Sequence, residues 1–321
     1  KSAVLATDER MAGTAFRLNL DLSATSDRNI YMIQSIAFLG LGAMGWRMAA
    51  HLPKYFEKVY VWNRNFSKAE QHATEYGTTA VELAQAVQAD IIFSCLPTSA
   101  DVEALIDGVN IKSGAIWIDC TSGVPEAARR LAERLKTQNI DFLDAPVSGQ
   151  TIGAENATLT VMVGGNINAF ERAYPAMAAV GKLIQHVGDS GAGFAVKAIN
   201  NMLLAVNLWS VAEGFSTLKA HGVNLDAALN CINASSGKSM VTETIFPQRV
   251  LSREFPVTFA LPLLAKDTGI ALNLVHEAKL PAPILALTQS LIQAANLTAE
   301  PNSDFSSAVK MYEEWTKIIL K

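Results

Sequence analysis

Lys197 and Asn201 are one helical turn apart in the run Phe194-Ala195-Val196-Lys197-Ala198-Ile199-Asn200-Asn201-Met202-Leu203-Leu204, so both fall on one face of a helix. A lysine within so apolar a run is costly to bury without a partner. Two accounts fit these residues. The ammonium snorkels at a domain edge, or it lies beside a reacting carbon, giving a proton to a new alkoxide or taking one from a hydroxyl. A second group comprises neutral donors placed just after short apolar runs: Thr121 in Cys120-Thr121-Ser122, and Ser148 with Gly149 in Ala145-Pro146-Val147-Ser148-Gly149. Hydroxyls and a free amide of this kind suit a substrate carboxylate. Taken singly, each is an ordinary turn.

A third group is glycine-rich. Ser35-Ile36-Ala37-Phe38-Leu39 leads into Gly40-Leu41-Gly42-Ala43-Met44-Gly45, a strand, a tight turn and a helix start, which is the context a dinucleotide fingerprint requires. Gly40 permits the turn, Gly42 allows close approach of a pyrophosphate, and Gly45 lets the helix pack on the strand. The helix N-terminus then faces the anion. The next strand ends at Trp62-Asn63-Arg64, where NAD enzymes place an acid on the ribose hydroxyls. No acid is present. Asn63 can bond a ribose or phosphate oxygen, and Arg64 can fork onto a 2′-phosphate, so NADP is favoured over NAD. The competing account of Arg64 is a solvated charge after an edge turn. Leu96 and Pro97 follow a later strand and stiffen a loop over the cofactor.

These residues need a scaffold that brings strand ends together. Apolar runs at 35–39, 59–62, 90–95, 115–119 and 141–144 alternate with helical patterns, which predicts a doubly wound parallel α/β sheet. Ile91-Ile92-Phe93 and Ile116-Trp117-Ile118 are apolar on both faces, as central strands are. Further strands are predicted at 158–163 and 183–187. Beyond them the pattern is helix after helix, beginning with a long apolar helix from Ala192 to about Ala220. We therefore expect a Rossmann domain at 33–195 and an all-α domain at 196–321 that closes over the site and carries oligomer contacts. Residues 1–32 are expected to be a poorly ordered extension ahead of a natural start near Met32.

Composition excludes several classes. The 321 residues are 50% hydrophobic and 17% charged, with a net charge of −4 and no basic stripe, so nucleic acid is not an expected partner. The three cysteines are widely spaced and are expected to be reduced core thiols. With no secretory h-region in residues 1–32, a cytoplasmic location is expected. No uninterrupted apolar run reaches the roughly 18 to 20 residues of a membrane span. His51, His72, His186, His221 and His276 lack metal-ligand spacing, and no Gly-x-Ser-x-Gly elbow is present, so neither metal nor serine-hydrolase chemistry is expected.

With these blocks in order, the chain resembles the β-hydroxyacid dehydrogenases, the family of 3-hydroxyisobutyrate dehydrogenase and the glyoxylate and succinic semialdehyde reductases. The blocks are Phe38 to Gly45, Asp144 to Gly149, the glycine-rich turn from Gly188 through Lys197 to Asn201, and Lys266-Asp267. The resemblance implies that Lys197 is the catalytic acid/base, that Asn201 orients the substrate with Asn200 nearby, and that Ser148, Gly149 and Thr121 hold its carboxylate. It makes Lys266 a cofactor-side residue, implies a homo-oligomer, and implies a small hydroxy acid or semialdehyde as substrate. Trp62-Asn63-Arg64 is closer to the NADPH-using reductases than to the NAD-using 3-hydroxyisobutyrate enzymes. Two departures stand out. Gln150 replaces a second glycine after Ser148-Gly149, implying a stiffer loop and a narrower pocket, and Thr121 stands where many members have Ser. Two other readings are an imine reductase, which commonly has an acid or phenol in place of Lys197, and a non-catalytic dinucleotide-binding scaffold; retention of Lys197, Ser148 and Asn201 weighs against both.

Overall fold

The apolar runs form nine strands in the computed structural model, which describes residues 33–321. They are β1 (Ile36–Leu39), β2 (Val59–Trp62), β3 (Thr79–Ala80), β4 (Ile91–Ser94), β5 (Ile116–Asp119), β6 (Asp141–Asp144), β7 (Val147–Ser148), β8 (Leu159–Gly164) and β9 (Gly181–Gly188). The expectation for residues 1–32 lies outside the described residues. The sheet order is β3-β2-β1-β4-β5-β6-β8-β7, with β9 beside β8. The six strands from β3 to β6 are parallel, in the doubly wound order that brings their carboxyl ends to one crevice. The sheet is not parallel throughout: β8 runs antiparallel to β6 and β7. β3 and β7 have two residues each, too few to show an alternating pattern.

Successive residues of the central strands feed opposite faces. Ile36, Phe38, Ile91, Phe93, Ile116 and Ile118 belong to one core, and Ala37, Leu39, Ile92, Trp117 and Phe142 to the other. The stacked rings of Phe38 and Phe93, with centroids 5.6 Å apart, tie β1 to β4 directly below the glycine turn. Truncating either of these fully buried rings costs about 3–5 kcal/mol. Helices α1 (Ala43–Ala49), α2 (Phe66–Tyr76), α3 (Leu83–Ala86), α4 (Ser99–Asp107), α5 (Pro125–Lys136), α6 (Gln150–Glu155) and α7 (Ile167–Ala178) belong to this part of the chain.

The second part is helical: α8 (Ala192–Ala220), α9 (Leu225–Asn233), a π-helical segment (Val241–Leu251), α10 (Leu261–Glu277), α11 (Pro283–Thr298) and α12 (Val309–Thr316). Its core gathers Leu208, Trp209 and Phe215 of α8 with Ile245, Phe246, Leu264, Ile292 and Phe305. By length and composition α8 could cross a bilayer, which counting uninterrupted apolar runs had not anticipated. In the fold it packs against α10, α11, α12 and β8. Its N-terminus is held by Asp144 of β6, whose carboxylate accepts from the Gly191 and Phe194 amides at 2.7 and 2.9 Å. Cys120 is buried, as expected, but Cys95 is half-buried and Cys231 is exposed on α9.

Candidate active site

The glycine turn is shaped by two constraints. Gly40 has φ +97°, and a Cβ there would meet the Cys95 carbonyl oxygen at 2.5 Å; a Cβ on Gly45 would strike the Gly40 carbonyl at 2.0 Å. Gly42 faces open space, with nothing within 4 Å of where its Cβ would be. That is the vacancy a phosphate approaching the backbone would fill. Asn63 at the end of β2 holds the turn, its Oδ1 accepting from the Leu41 amide at 3.0 Å while its Nδ2 donates to the Asn65 carbonyl at 3.0 Å. Its side-chain oxygen thus braces the glycine turn. Arg64 is exposed and has no hydrogen-bond or ion-pair partner among the described residues.

Beside the turn, a cavity of about 670 Å³ lies at the carboxyl ends of β4 and β5 and under α8 and α10. Ala43, Met44, Leu96, Pro97 and Thr121 line its cofactor-proximal side. Thr121 is buried and its hydroxyl oxygen accepts from the Leu96 amide at 3.1 Å, which braces the loops after β4 and β5 against each other. Below it, Asp119 accepts from Ser94 Oγ at 2.9 Å and the Thr121 amide at 3.0 Å. Burial pushes the Asp119 carboxyl up to about 6 despite those bonds, and its Oδ2 has no hydrogen-bond partner.

Lys197 and Asn201 reach the same cavity from α8, with Lys266 and Asp267 opposite them on α10. The Lys197 amine makes no hydrogen bond to any described residue. Burial lowers its pKa from 10.5 to about 8; Asp267 opposes the shift and the Lys266 charge adds to it. An amine so poised exchanges a proton readily near neutrality. Asp267 is 1% exposed and accepts from Asn201 Nδ2 at 2.6 Å, while Asn200 Nδ2 donates to Asn201 Oδ1 at 3.1 Å. Its other oxygen pairs with Lys266 at 3.2 Å, and the Lys266 amine also donates to the Ser122 carbonyl. Lys266 thereby joins the helical half to the loop after β5.

The third wall is the loop after β6. Ser148 ends β7 with its hydroxyl unpartnered among the described residues, Gly149 has φ +135° and Gln150 has φ +59°. Gln150 Oε1 accepts from Arg249 Nη2 at 2.9 Å; Arg249 Nη1 lies 3.0 Å from both oxygens of the buried Asp304. Asp304 also accepts from the amides of Thr258 and Phe259, holding the segment that closes the cavity's outer end.

The matches to known proteins follow this division. Residues 35–188 match the NAD binding domain of 6-phosphogluconate dehydrogenase, and residues 191–312 match the NAD-binding domain of NADP-dependent 3-hydroxyisobutyrate dehydrogenase. The 2-(hydroxymethyl)glutarate dehydrogenase of Eubacterium barkeri is 36% identical over 88% of this chain and 96% of its own. The chain is a member of the 3-hydroxyisobutyrate dehydrogenase family. This dehydrogenase is also 33% identical to the NAD-dependent L-serine dehydrogenase of Pseudomonas aeruginosa, covering 88% of this chain and 98% of that one. The solved structure of Mycobacterium tuberculosis 3-hydroxyisobutyrate dehydrogenase with L-serine superposes with a TM-score of 0.82, at 29% identity over 88% of this chain and 99% of that one.

In the dehydrogenase, Lys197, Asn201, Asn200, Ser148, Gly149, Thr121, Ala43, Met44, Leu96, Pro97 and Lys266 converge on one cavity. Gly40, Leu41, Gly42, Gly45, Asn63 and Arg64 lie outside its lining, on the adjoining loops. Sequence reasoning gave Asp267 no role of its own and passed over the pairing of Gln150 with Arg249. An acid inside the apolar run Leu261-Pro262-Leu263-Leu264-Ala265-Lys266-Asp267 was a usable signal, because burying it demands a partner. The pairing of residues 99 positions apart left no such mark. No group of metal-ligating side chains occurs among the described residues.

Proposed function

We propose that this dehydrogenase transfers hydride reversibly between NADP(H) and a small β-hydroxy acid or its semialdehyde, of the 3-hydroxyisobutyrate, succinic semialdehyde or glyoxylate type. One observation carries the proposal: the only amine on α8 that enters the cavity, Lys197, is without a hydrogen-bond partner among the described residues and has its pKa lowered to about 8. Lys197 takes the hydroxyl proton as the alcohol is oxidised and returns one to the oxygen on reduction. Asn201, held by Asp267, orients the substrate oxygen, with Asn200 behind it. Ser148 Oγ and the Gly149 amide receive the carboxylate, while Thr121 stiffens the facing loop. When bound, the dinucleotide supplies or accepts the hydride. Its pyrophosphate would rest on residues Gly40 to Gly45, with Leu96, Pro97 and Lys266 at its other edge.

The absence of an acid after β2 and the free guanidinium of Arg64 support NADP over NAD. On this reading residues 33–195 bind the dinucleotide and residues 196–321 close the site. Exposed Ile284, Leu287 and Leu297 on α11 support assembly with further copies of the chain, and three unpaired cysteines suit a reducing, cytoplasmic setting. Replacing Lys197 with Ala tests the assignment. We expect kcat to fall roughly 10²- to 10⁴-fold with NADPH affinity nearly unchanged. A variant with near-normal kcat refutes the role.

A further inference from the structure

We propose, resting on the function assigned above, that Gln150 is a specificity-determining residue whose Nε2 donates to a second oxygen acceptor on the substrate, a distal carboxylate, beyond the carboxylate received by Ser148 and Gly149. The first observation is its backbone. Gln150 has φ +59°, a left-handed conformation that side-chain-bearing residues rarely adopt and that glycine adopts freely. A strained non-glycine residue in a ligand-facing loop points to a contact that glycine would lose.

The second observation fixes which end of the amide is already engaged. Arg249 is 6% exposed and can only donate, so the atom 2.9 Å from its Nη2 is the Gln150 carbonyl oxygen. The opposite end is therefore the NH2 group, which offers donors alone. It makes no hydrogen bond to any described residue. Arg249 is itself held by both oxygens of Asp304, so the amide is clamped from behind by a neutralised pair. Gln150 consequently offers the cavity it lines an uncharged donor.

The third observation is position. Gln150 lines the main cavity and also a second recess of about 630 Å³, the two sharing Gly149, Gln150, Met240 and Thr258 as a common rim. A substituent leaving the reacting centre away from Lys197 passes this rim. The rest of it offers the Met240 side chain and Thr258, whose amide and hydroxyl both donate to Asp304, at 3.0 and 3.4 Å. Gln150 is thus the amide donor stationed where a longer substrate would put a second polar group.

The test uses two 3-hydroxy acids that differ only at C2, one bearing methyl and the other carboxyethyl, with kcat/KM measured for turnover and Kd measured on the NADP⁺-loaded enzyme. The native protein is expected to favour the carboxyethyl acid by about tenfold or more in both measures. Gln150→Glu keeps an oxygen for Arg249 while replacing the donor by an anion, and should collapse that preference at least tenfold, chiefly through KM. Gln150→Gly, which relieves the backbone, should collapse it in the same direction and serves if the Glu variant fails to fold. A native enzyme without the preference, or variants that retain it, overturns the assignment. Absence of turnover on both acids with the Kd preference and its loss in the variants intact overturns the reaction proposed above and leaves Gln150 assigned.

Discussion

Replacing Lys197 with Met should abolish turnover and stabilise the fold, and the second effect is the more searching test. The amine's pKa falls from 10.5 to about 8 on folding, mainly through burial. At about 1.36 kcal/mol per unit, that shift costs the native state about 3 kcal/mol wherever the lysine is protonated in both states, that is, below pH 8. Between about 8 and 10.5 the unfolded chain binds the additional proton, so native stability rises with pH across that window, and above it the cost is gone. Methionine fills similar space and has no proton to lose. At pH 7 the variant should melt about 6 °C higher, taking roughly 2 °C per kcal/mol for a chain of this size. The gap should narrow from pH 8 to 10.5. Melting curves of both proteins over this range, followed by circular dichroism, decide the matter: a variant that melts lower at pH 7, or a gap independent of pH, refutes the idea that the site stores this cost for catalysis.

Arg64→Ala should raise KM for NADP(H) about tenfold or more and leave that for NAD(H) nearly unchanged, whereas Asn63→Ala, which releases the Leu41 amide, should weaken both cofactors alike; steady-state kinetics with each cofactor separates the two. Asp267→Asn removes the charge that holds the Lys197 pKa up, so the alkaline-activated limb of the pH profile for alcohol oxidation should move to lower pH. A limb that stays in place or moves upward would show that Asp267 does not act on this amine.

Long-period features were legible in the sequence. The central strands, the glycine turn and a helix spanning Ala192–Ala220 follow from runs of residue type that need no distant partner to be recognised. Lys197, Asn201, Ser148 and Gly149 were legible as candidates because they follow strand ends or share a helix face. What stayed hidden depends on contacts between remote segments. The reversal of β8 against β6 is decided by where α6 and β7 turn the chain, and the two-residue strands have no pattern of their own. Residue type showed the Thr121 hydroxyl but not the Leu96 amide that binds its oxygen. The same holds for Asn63 and Leu41. Hydrogen-bond saturation belongs to the folded neighbourhood, and residue type alone does not report it.

Helix α8 belongs to three cores in succession: Phe194 packs with the sheet, Ala198 and Met202 with Ile270 and Ala271, and Leu208 to Phe215 with the helical core. Most of its length therefore lies far from the amine it carries near its start. A change of packing around Leu208 or Phe215 would rotate or slide a rigid rod, and the far end would move with it. The aim of Lys197 can thus be retuned from a distance, by substitutions that leave every cavity-lining residue as it was. Variation of substrate among the family's members need not be written in the pocket.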